Sequence, residues 1–291
     1  MLMPSGLPCR MLRVSNAAIA AERGMMMKKL IAVLCLLLAL CLTGVALAGQ
    51  PDRLQALRDK GYAVIGTEGV YQPWNYEDEN GVMVGYDVEV AAAVCAKLGI
   101  EARFVPCQWD GLFTGLDNSN RFDLVFASVE PTEERAKKYN FSEPYAYTRT
   151  VLIVSSDNDQ IDSFEALKGR TTCNTITSVY AQLAESYGAE VTAVDDLAQT
   201  LMLVESGRCD ATLNADTAYY DYMKAHPDAK LKVVDQTEEA VTIVTLLPKG
   251  DDYATLMDAI NAALRELREE GVLSELSVKY FGGDISSPTV D

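Results

Sequence analysis

From Tyr62 onward, short apolar runs alternate with helical stripes. The run Ala63-Val64-Ile65-Gly66 reads as a strand. Asp87 to Leu98 then places apolar residues at 88, 90, 91, 94, 95 and 98, the spacing of one helix face, and Gly99 ends it. Ala102 to Val105 is a strand, Asp110 caps a helix carrying Leu112, Phe113 and Leu116, and Asp123 to Ala127 is a strand again. The pattern restarts at Thr150. Strands are predicted at Thr150–Val154, Thr171–Thr175, Val191–Val194, Ala211–Asn214, Leu231–Val234 and Val241–Leu247. Helices are predicted at Ser163–Leu167, from Ser178 to Tyr187, from Asp196 to about Glu205, over Thr217–Lys224, and from Asp252 to Glu270 with a shorter one after Gly271. Such alternation predicts two similar α/β halves, each a sheet covered by helices.

The beginning of the chain follows another rule. Lys28 and Lys29 precede thirteen apolar residues, Leu30 to Leu42, and an Ala46-x-Ala48 exit. This is the pattern of a secretory signal cleaved before Gly49, too short to span a bilayer, which takes about 20 residues. Met25, Met26 and Met27 mark the expected start, which leaves 1–24 as an over-extended beginning. A lipid anchor would use Cys41, but bulky Leu40 stands before it, so this reading is not favoured. Residues 1–48 are therefore set aside as a leader.

Charge and rare residues then narrow the chemistry. The whole chain of 291 residues carries 25 basic and 42 acidic residues, a net charge of −17. Five of the basic and one of the acidic residues belong to 1–48, so the remainder is more acidic still. Such a surface repels phosphate backbones and anionic lipid, which argues against nucleic-acid binding. His226 is the single histidine, and no cysteine pair has the two-residue spacing of a zinc or redox motif, so no metal or other cofactor is expected. Cys95, Cys107, Cys173 and Cys209 remain after the leader. They read as small buried hydrophobes; a disulfide within either half is open but not indicated.

Gly85-Tyr86-Asp87-Val88-Glu89-Val90-Ala91-Ala92-Ala93-Val94-Cys95 is the sharpest local signal. It resembles the signature of the extracytoplasmic solute-binding proteins of polar amino-acid ABC transporters, the family 3 type. Arg121-Phe122-Asp123-Leu124-Val125, Thr132-Glu133-Glu134-Arg135, Tyr139 to Tyr145, Ser206 to Ala211 and Lys279-Tyr280-Phe281-Gly282 agree in order and spacing. The resemblance covers roughly 52–282. It implies a periplasmic-binding-protein-like type II fold: two α/β lobes joined by two crossing strands, with the ligand cleft between. Lobe one would be 49–147 plus 246–291, and lobe two 148–245. It also implies a monomer outside the cytoplasm, without catalytic residues, that delivers an amino acid to a membrane permease with ATPase subunits.

Site residues are carried over position by position. Arg135 would clamp the ligand α-carboxylate, because guanidinium geometry pairs with it in two hydrogen bonds. Tyr71 and Trp109 would sandwich the side chain. Ser128 would meet the α-ammonium; Ser178, opening a helix, and the amide of Val179 would meet the carboxylate. The acid expected on the ammonium aligns at Ala215, so a one-residue shift would bring in Asp216, with Asn214 as the fallback. Glu68 would face the side-chain pocket and favour a cationic group. Glu130 departs from the Ser or Thr usual there. The runs around Glu68 and Trp109 look most like the cystine-binding branch, which places L-cystine first and arginine, lysine or another polar amino acid behind it. The competing reading is an exported enzyme on the same scaffold, similar to a cyclohexadienyl dehydratase, with Glu68 and Glu130 as acid and base.

Overall fold

The computed structural model describes residues 52–118 and 121–288, with Met27. The proposed start, signal and Cys41 lie outside the described residues. The chain enters with α1 (Arg53–Lys60), β1 (Tyr62–Thr67), a small sheet of β2 (Val70–Tyr71), β3 (Asn75–Glu77) and β4 (Met83–Val84), then α2 (Tyr86–Leu98). It continues through β5 (Glu101–Pro106), α3 (Trp109–Asp117), β6 (Leu124–Val129), α4 (Glu133–Lys138), β7 (Tyr139–Phe141) and β8 (Ala146–Thr148). β1 lies parallel between β5 and β6, in register from Tyr62 opposite Glu101 to Thr67 opposite Pro106.

A sheet with helices on both faces buries both faces, so its central strands are apolar throughout. β6 shows this directly. Leu124 and Phe126 face a core filled by Val90, Ala91 and Val94 of α2, while Val125, Ala127 and Val129 face Leu112 and Leu116 of α3. α2 starts at Gly85, whose φ is 125° and whose missing Cβ would sit 2.3 Å from the Trp74 carbonyl oxygen. No other residue fits that approach.

The second lobe contains β9 (Thr150–Ser155), β10 (Thr171–Asn174), α5 (Val179–Ser186), β11 (Glu190–Ala193), α6 (Leu197–Glu205), β12 (Ala211–Ala215), α7 (Asp216–Ala225) and β13 (Leu231–Gln236). Its strand order is β11-β10-β12-β9-β13. The chain returns along β14 (Val241–Pro248), which pairs antiparallel with β8, β7 and β6. It closes with α8 (Ala254–Glu269) and α9 (Val272–Phe281), and α8 lays Leu256, Ile260, Ala263, Leu264 and Leu267 on the α2 side of the first sheet. The helix expected from Asp252 thus begins later, after one 3-10 turn at Asp251–Tyr253. The two passages between the lobes, 148–150 and 236–241, are tied together where Thr150 and Thr237 exchange hydrogen bonds.

One expectation is corrected here. Cys173 and Cys209 form a disulfide, with Cα atoms 6.2 Å apart across 36 residues of sequence. Their separation hides the reason: β10 and β12 are parallel neighbours, with Thr172 opposite Ala211, so Cys173 lies beside Cys209, two residues before β12 begins. Cys95 and Cys107 are free. Among the described residues, no helix is long and apolar enough to cross a membrane, and no cluster of metal-ligating side chains occurs. His226 bonds the Tyr222 carbonyl and stacks on its ring at the end of α7.

Candidate functional site

In open α/β sheets, the carboxyl ends of parallel strands and the amino ends of the following helices converge on one crevice. Here β1 ends beside Glu68, β6 at Ser128 and Glu130, β10 at Asn174 and Thr175, and β12 at Asn214. α3 begins with Trp109, α5 is capped by Ser178 and α6 by Asp196. These residues, with Tyr71, Tyr180, Asp195, Leu197 and Thr200, enclose an inner cavity of about 60 Å³ between the lobes.

A buried network supports it from behind. Asp87, fully buried, accepts from Tyr145 Oη at 2.7 Å, from Asn75 Nδ2 at 2.8 Å and from the Ser128 backbone N–H. Asn75 Oδ1 in turn accepts from the amides of Glu68 and Gly69, each at 3.0 Å. The signature acid of α2 therefore sets two site loops at once. Ser128 has a left-handed backbone, φ 49°, at an irregularity in the pairing of β6 with β14. Strain of this kind persists where surrounding structure over-determines it.

Three polar atoms of the lining are buried without a protein partner: Trp109 Nε1, Ser128 Oγ and Asn174 Oδ1. Each such atom costs about 1–3 kcal/mol if left unsatisfied. Asn174 shows a division of labour, since Nδ2 donates to Thr212 and to the Leu213 carbonyl and leaves Oδ1 as a free acceptor.

Arg135 lies on α4, whose cap Thr132 accepts its N–H at 3.1 Å. Its guanidinium is buried against the rings of Trp109 and Phe113, 5.2 and 5.1 Å from their centroids, and these rings pack edge-on to each other. Nη1 donates to the Glu130 carbonyl at 2.7 Å and lies 3.5 Å from the Glu130 carboxylate; Nη2 donates across the cleft to the Thr177 carbonyl at 3.1 Å. Further bonds close the lobes. Tyr71 Oη donates to Asn214 Oδ1 at 2.6 Å, Trp74 Nε1 to Thr217 Oγ1 at 3.2 Å, and Thr177 Oγ1 to Asp110. The Tyr180 hydroxyl is hydrogen-bonded to the Glu130 carboxylate and to Tyr71. This is a closed cleft. Arg135 and Thr177 also line an outer groove of about 540 Å³ with Asp110, Phe113 and Tyr139.

Electrostatically the inner site is acidic. Burial pushes the Glu68 carboxyl up to about 8, with help from Asp87, Glu130 and Asp196. Asp87 is raised to about 7, mainly by burial and against the pull of its hydrogen bonds. Burial also raises Glu130, opposed by Arg135.

Of the predicted residues, the structure gathers Glu68, Tyr71, Trp109, Ser128 and Ser178 around the inner cavity. Arg135 stands at its edge, held by Glu130. Val179 packs its side chain on the second lobe's core, because that face of α5 covers the sheet, which leaves its backbone amide as the group expected at the site. Asp216 is not brought in. It opens α7 and turns back on its own backbone, accepting from the Thr217 N–H, and it lines a separate groove with Tyr220 and Phe281. Asn214, two residues earlier on β12, occupies the place on the cavity. Tyr180, Asn174, Thr175 and Thr200 were not singled out from the sequence. Asn174 was findable as a polar residue next to the end of a predicted strand, whereas Tyr180 sits inside a helix and carries no local signal.

Residues 63–283 match the family model of bacterial extracellular solute-binding proteins, family 3. The chain belongs to this family. Among its relatives, a probable amino-acid ABC transporter-binding protein of Haemophilus influenzae is 38% identical over 263 residues, covering 89% of this chain and all of the relative. The L-cystine-binding protein TcyA of Bacillus subtilis is also 38% identical, covering 82% and 88%. Among solved structures, an ancestral arginine-binding protein bound to arginine is similar at TM-score 0.71 and 33% identity, over 76% of this chain and 99% of that one. The L-cystine receptor of Neisseria gonorrhoeae, unliganded and open, is 38% identical over 81% and 99% but superposes at only 0.57. This family 3 protein is thus an amino-acid-binding component of an ABC transporter, on the type II two-lobed fold.

Proposed function

We propose that the protein binds L-cystine, with arginine, lysine or another polar amino acid as the next choices, outside the cytoplasm. Lobe closure over the ligand would then present it to an ABC import permease and its ATPase subunits. The observation that carries this is the set of buried, unpartnered polar atoms on Trp109, Ser128 and Asn174 within one cavity framed by aromatic and acidic side chains from both lobes. Ser128 Oγ and Asn174 Oδ1 are acceptors for an α-ammonium, Tyr71 and Trp109 supply faces for the side chain, and Glu68 meets its cationic end. Arg135, once released from Thr177 on opening, is the group to grip the carboxylate, and Ser178 lies at the helix end nearby. Support for cystine comes from two relatives that bind it and from Glu68, which suits a second ammonium.

The proposed lobes are 49–147 with 246–291, and 148–245; β14 straddles the second boundary, its first residues already pairing with β8. The proposed form is a monomer, exported by the leader, with an anchor through Cys41 disfavoured. An exported dehydratase on this scaffold is the second reading, favoured by the raised carboxyls of Glu68 and Glu130. Against it, Glu130 is already engaged with Arg135 and Tyr180.

A thermal-shift screen separates the two. The purified chain is unfolded, stripped, refolded and tested with the twenty amino acids, cystine and cyclic acids such as prephenate. Ligand at a thousand times its Kd adds about 4 kcal/mol, or roughly 8–16 °C in midpoint for a chain of this size. Cystine is expected to give such a shift and Arg135→Ala to lose it. If every amino acid is silent and prephenate is turned over, the binding reading fails.

A further inference from the structure

Among the described residues, the lining of the inner cavity contains one buried side-chain group that can only donate and has no partner: the indole N–H of Trp109. The chain has two tryptophans, and the other, Trp74, gives its Nε1 to Thr217 at 3.2 Å. Trp109 is 8% exposed. Its ring belongs to the core of Leu112, Leu116, Val129 and Tyr139, and Phe113 packs edge-on to it at 5.3 Å, so it is not free to swing toward solvent. An indole N–H is satisfied only by an acceptor. Left bare in a closed cleft, it would weaken a ligand by roughly 5- to 100-fold.

The rest of the ligand is already provided for. Ser128 Oγ and Asn174 Oδ1 are the acceptors for the α-ammonium. The α-carboxylate falls to Arg135, to the Val179 amide in the first turn of α5, and to Ser178, whose Oγ accepts the Ala181 amide at 3.1 Å and keeps its own hydrogen to donate. The group left to meet Trp109 is the side chain, which runs along its ring. Lysine and arginine side chains carry donors and no acceptor. Cystine carries a far carboxylate that the indole can bond, next to the ammonium that suits Glu68.

We propose that Trp109 is a specificity-determining residue: its indole N–H donates to an acceptor on the ligand side chain. It thereby selects ligands with a carboxylate as well as an ammonium at the far end, such as cystine, over lysine and arginine. The proposal rests on the amino-acid reading above and deepens it by naming the group that separates its candidates. A site with a buried donor rejects an analogue that lacks the matching acceptor, because the donor is then left unpaired.

The test uses two ligands that differ in this one group: L-cystine, and the mixed disulfide of L-cysteine with cysteamine, which is cystine without its far carboxylate. Both, with lysine alongside, are titrated calorimetrically into the full protein and into Trp109→Phe, which keeps an aromatic face and removes the N–H. The natural protein is expected to bind cystine at least about fivefold more tightly than the mixed disulfide or lysine. Trp109→Phe should shrink the ratio of cystine to mixed disulfide by about fivefold or more. A smaller ring weakens the two ligands alike, so the ratio isolates the N–H. In a proton–nitrogen correlation spectrum, the indole signal that Trp109→Phe removes should move downfield with cystine and not with the mixed disulfide. An unchanged ratio in Trp109→Phe, or lysine bound more tightly than cystine, overturns the assignment while leaving the amino-acid reading intact. A natural protein that binds none of these and no other amino acid sinks both. Should Trp109→Phe fail to fold, the spectrum of the natural protein decides: an indole signal that answers cystine alone supports the proposal, and signals that answer both ligands alike overturn it.

Discussion

At the scale of single residues, the chemistry turns on carboxylates held away from water. Glu68 is raised to about 8 by burial and by Asp87, Glu130 and Asp196, so it is mostly protonated at neutral pH. Its folded pKa lies above that of the open chain, so its contribution to stability is present at low pH and is lost as pH rises through about 8. A cationic ligand reverses the preference, since it favours the ionised form. Affinity for lysine or cystine is therefore expected to strengthen from pH 6 toward pH 8, by at most about tenfold per unit for one proton. Titrations at three pH values check this, and Glu68→Gln should flatten the profile. A wild-type profile already flat would show that Glu68 does not meet the cationic group.

At the scale of elements, a few ties hold the site-bearing loops. Gly85 and Asp87 are legible as a motif, but their purpose is not. Asp87 positions Asn75, the Glu68 loop and Ser128 through contacts between residues 12 to 58 apart, which no local pattern reports. The Cys173–Cys209 disulfide similarly joins β10, which leads into Asn174 and Thr175, to the turn before β12. Closing a loop of 36 residues contributes about 4 kcal/mol by chain entropy. Cys173→Ala/Cys209→Ala is expected to lower the denaturant midpoint accordingly, and a reducing agent should destabilise the natural protein but not the variant. Equal behaviour of the two in reductant-free buffer would show that the bond does not form.

At the scale of the molecule, closure is built from a few polar contacts between lobes: Tyr71 with Asn214, Trp74 with Thr217, Glu130 with Tyr180 and Arg135 with Thr177. Individually such bonds contribute about 0.5–1.5 kcal/mol, little enough for opening by thermal motion. Ligand that binds only the closed form shifts the population toward it. X-ray scattering is expected to show a smaller radius of gyration with cystine than with the stripped protein at equal concentration. Tyr71→Phe, which removes the hydroxyl that meets Asn214 and Tyr180 across the cleft, should enlarge the stripped form. An unchanged radius in both experiments would argue against hinge closure as the reporting event.

The alternation of strand and helix, the restart at Thr150 and the caps at Ser178 and Asp196 were legible because they depend on neighbours a few residues apart. The Gly85 motif and its companions along the chain carried the family for the same reason, each being a short run. Five of the eight predicted ligand-facing residues gathered at one cavity because strand ends converge there in any sheet of this kind. What only the tertiary structure decided involves residues far apart in sequence: the disulfide, the capture of Arg135 by Thr177, the entry of Tyr180, and Asn214 in place of Asp216. Asn214 and Asp216 are two residues apart and would share a face if the strand ran on, so which of them faces the cavity depends on where β12 stops. Pairing with β9 ends at Ala215, opposite Thr150, and α7 begins at Asp216, which turns that side chain away from the cavity.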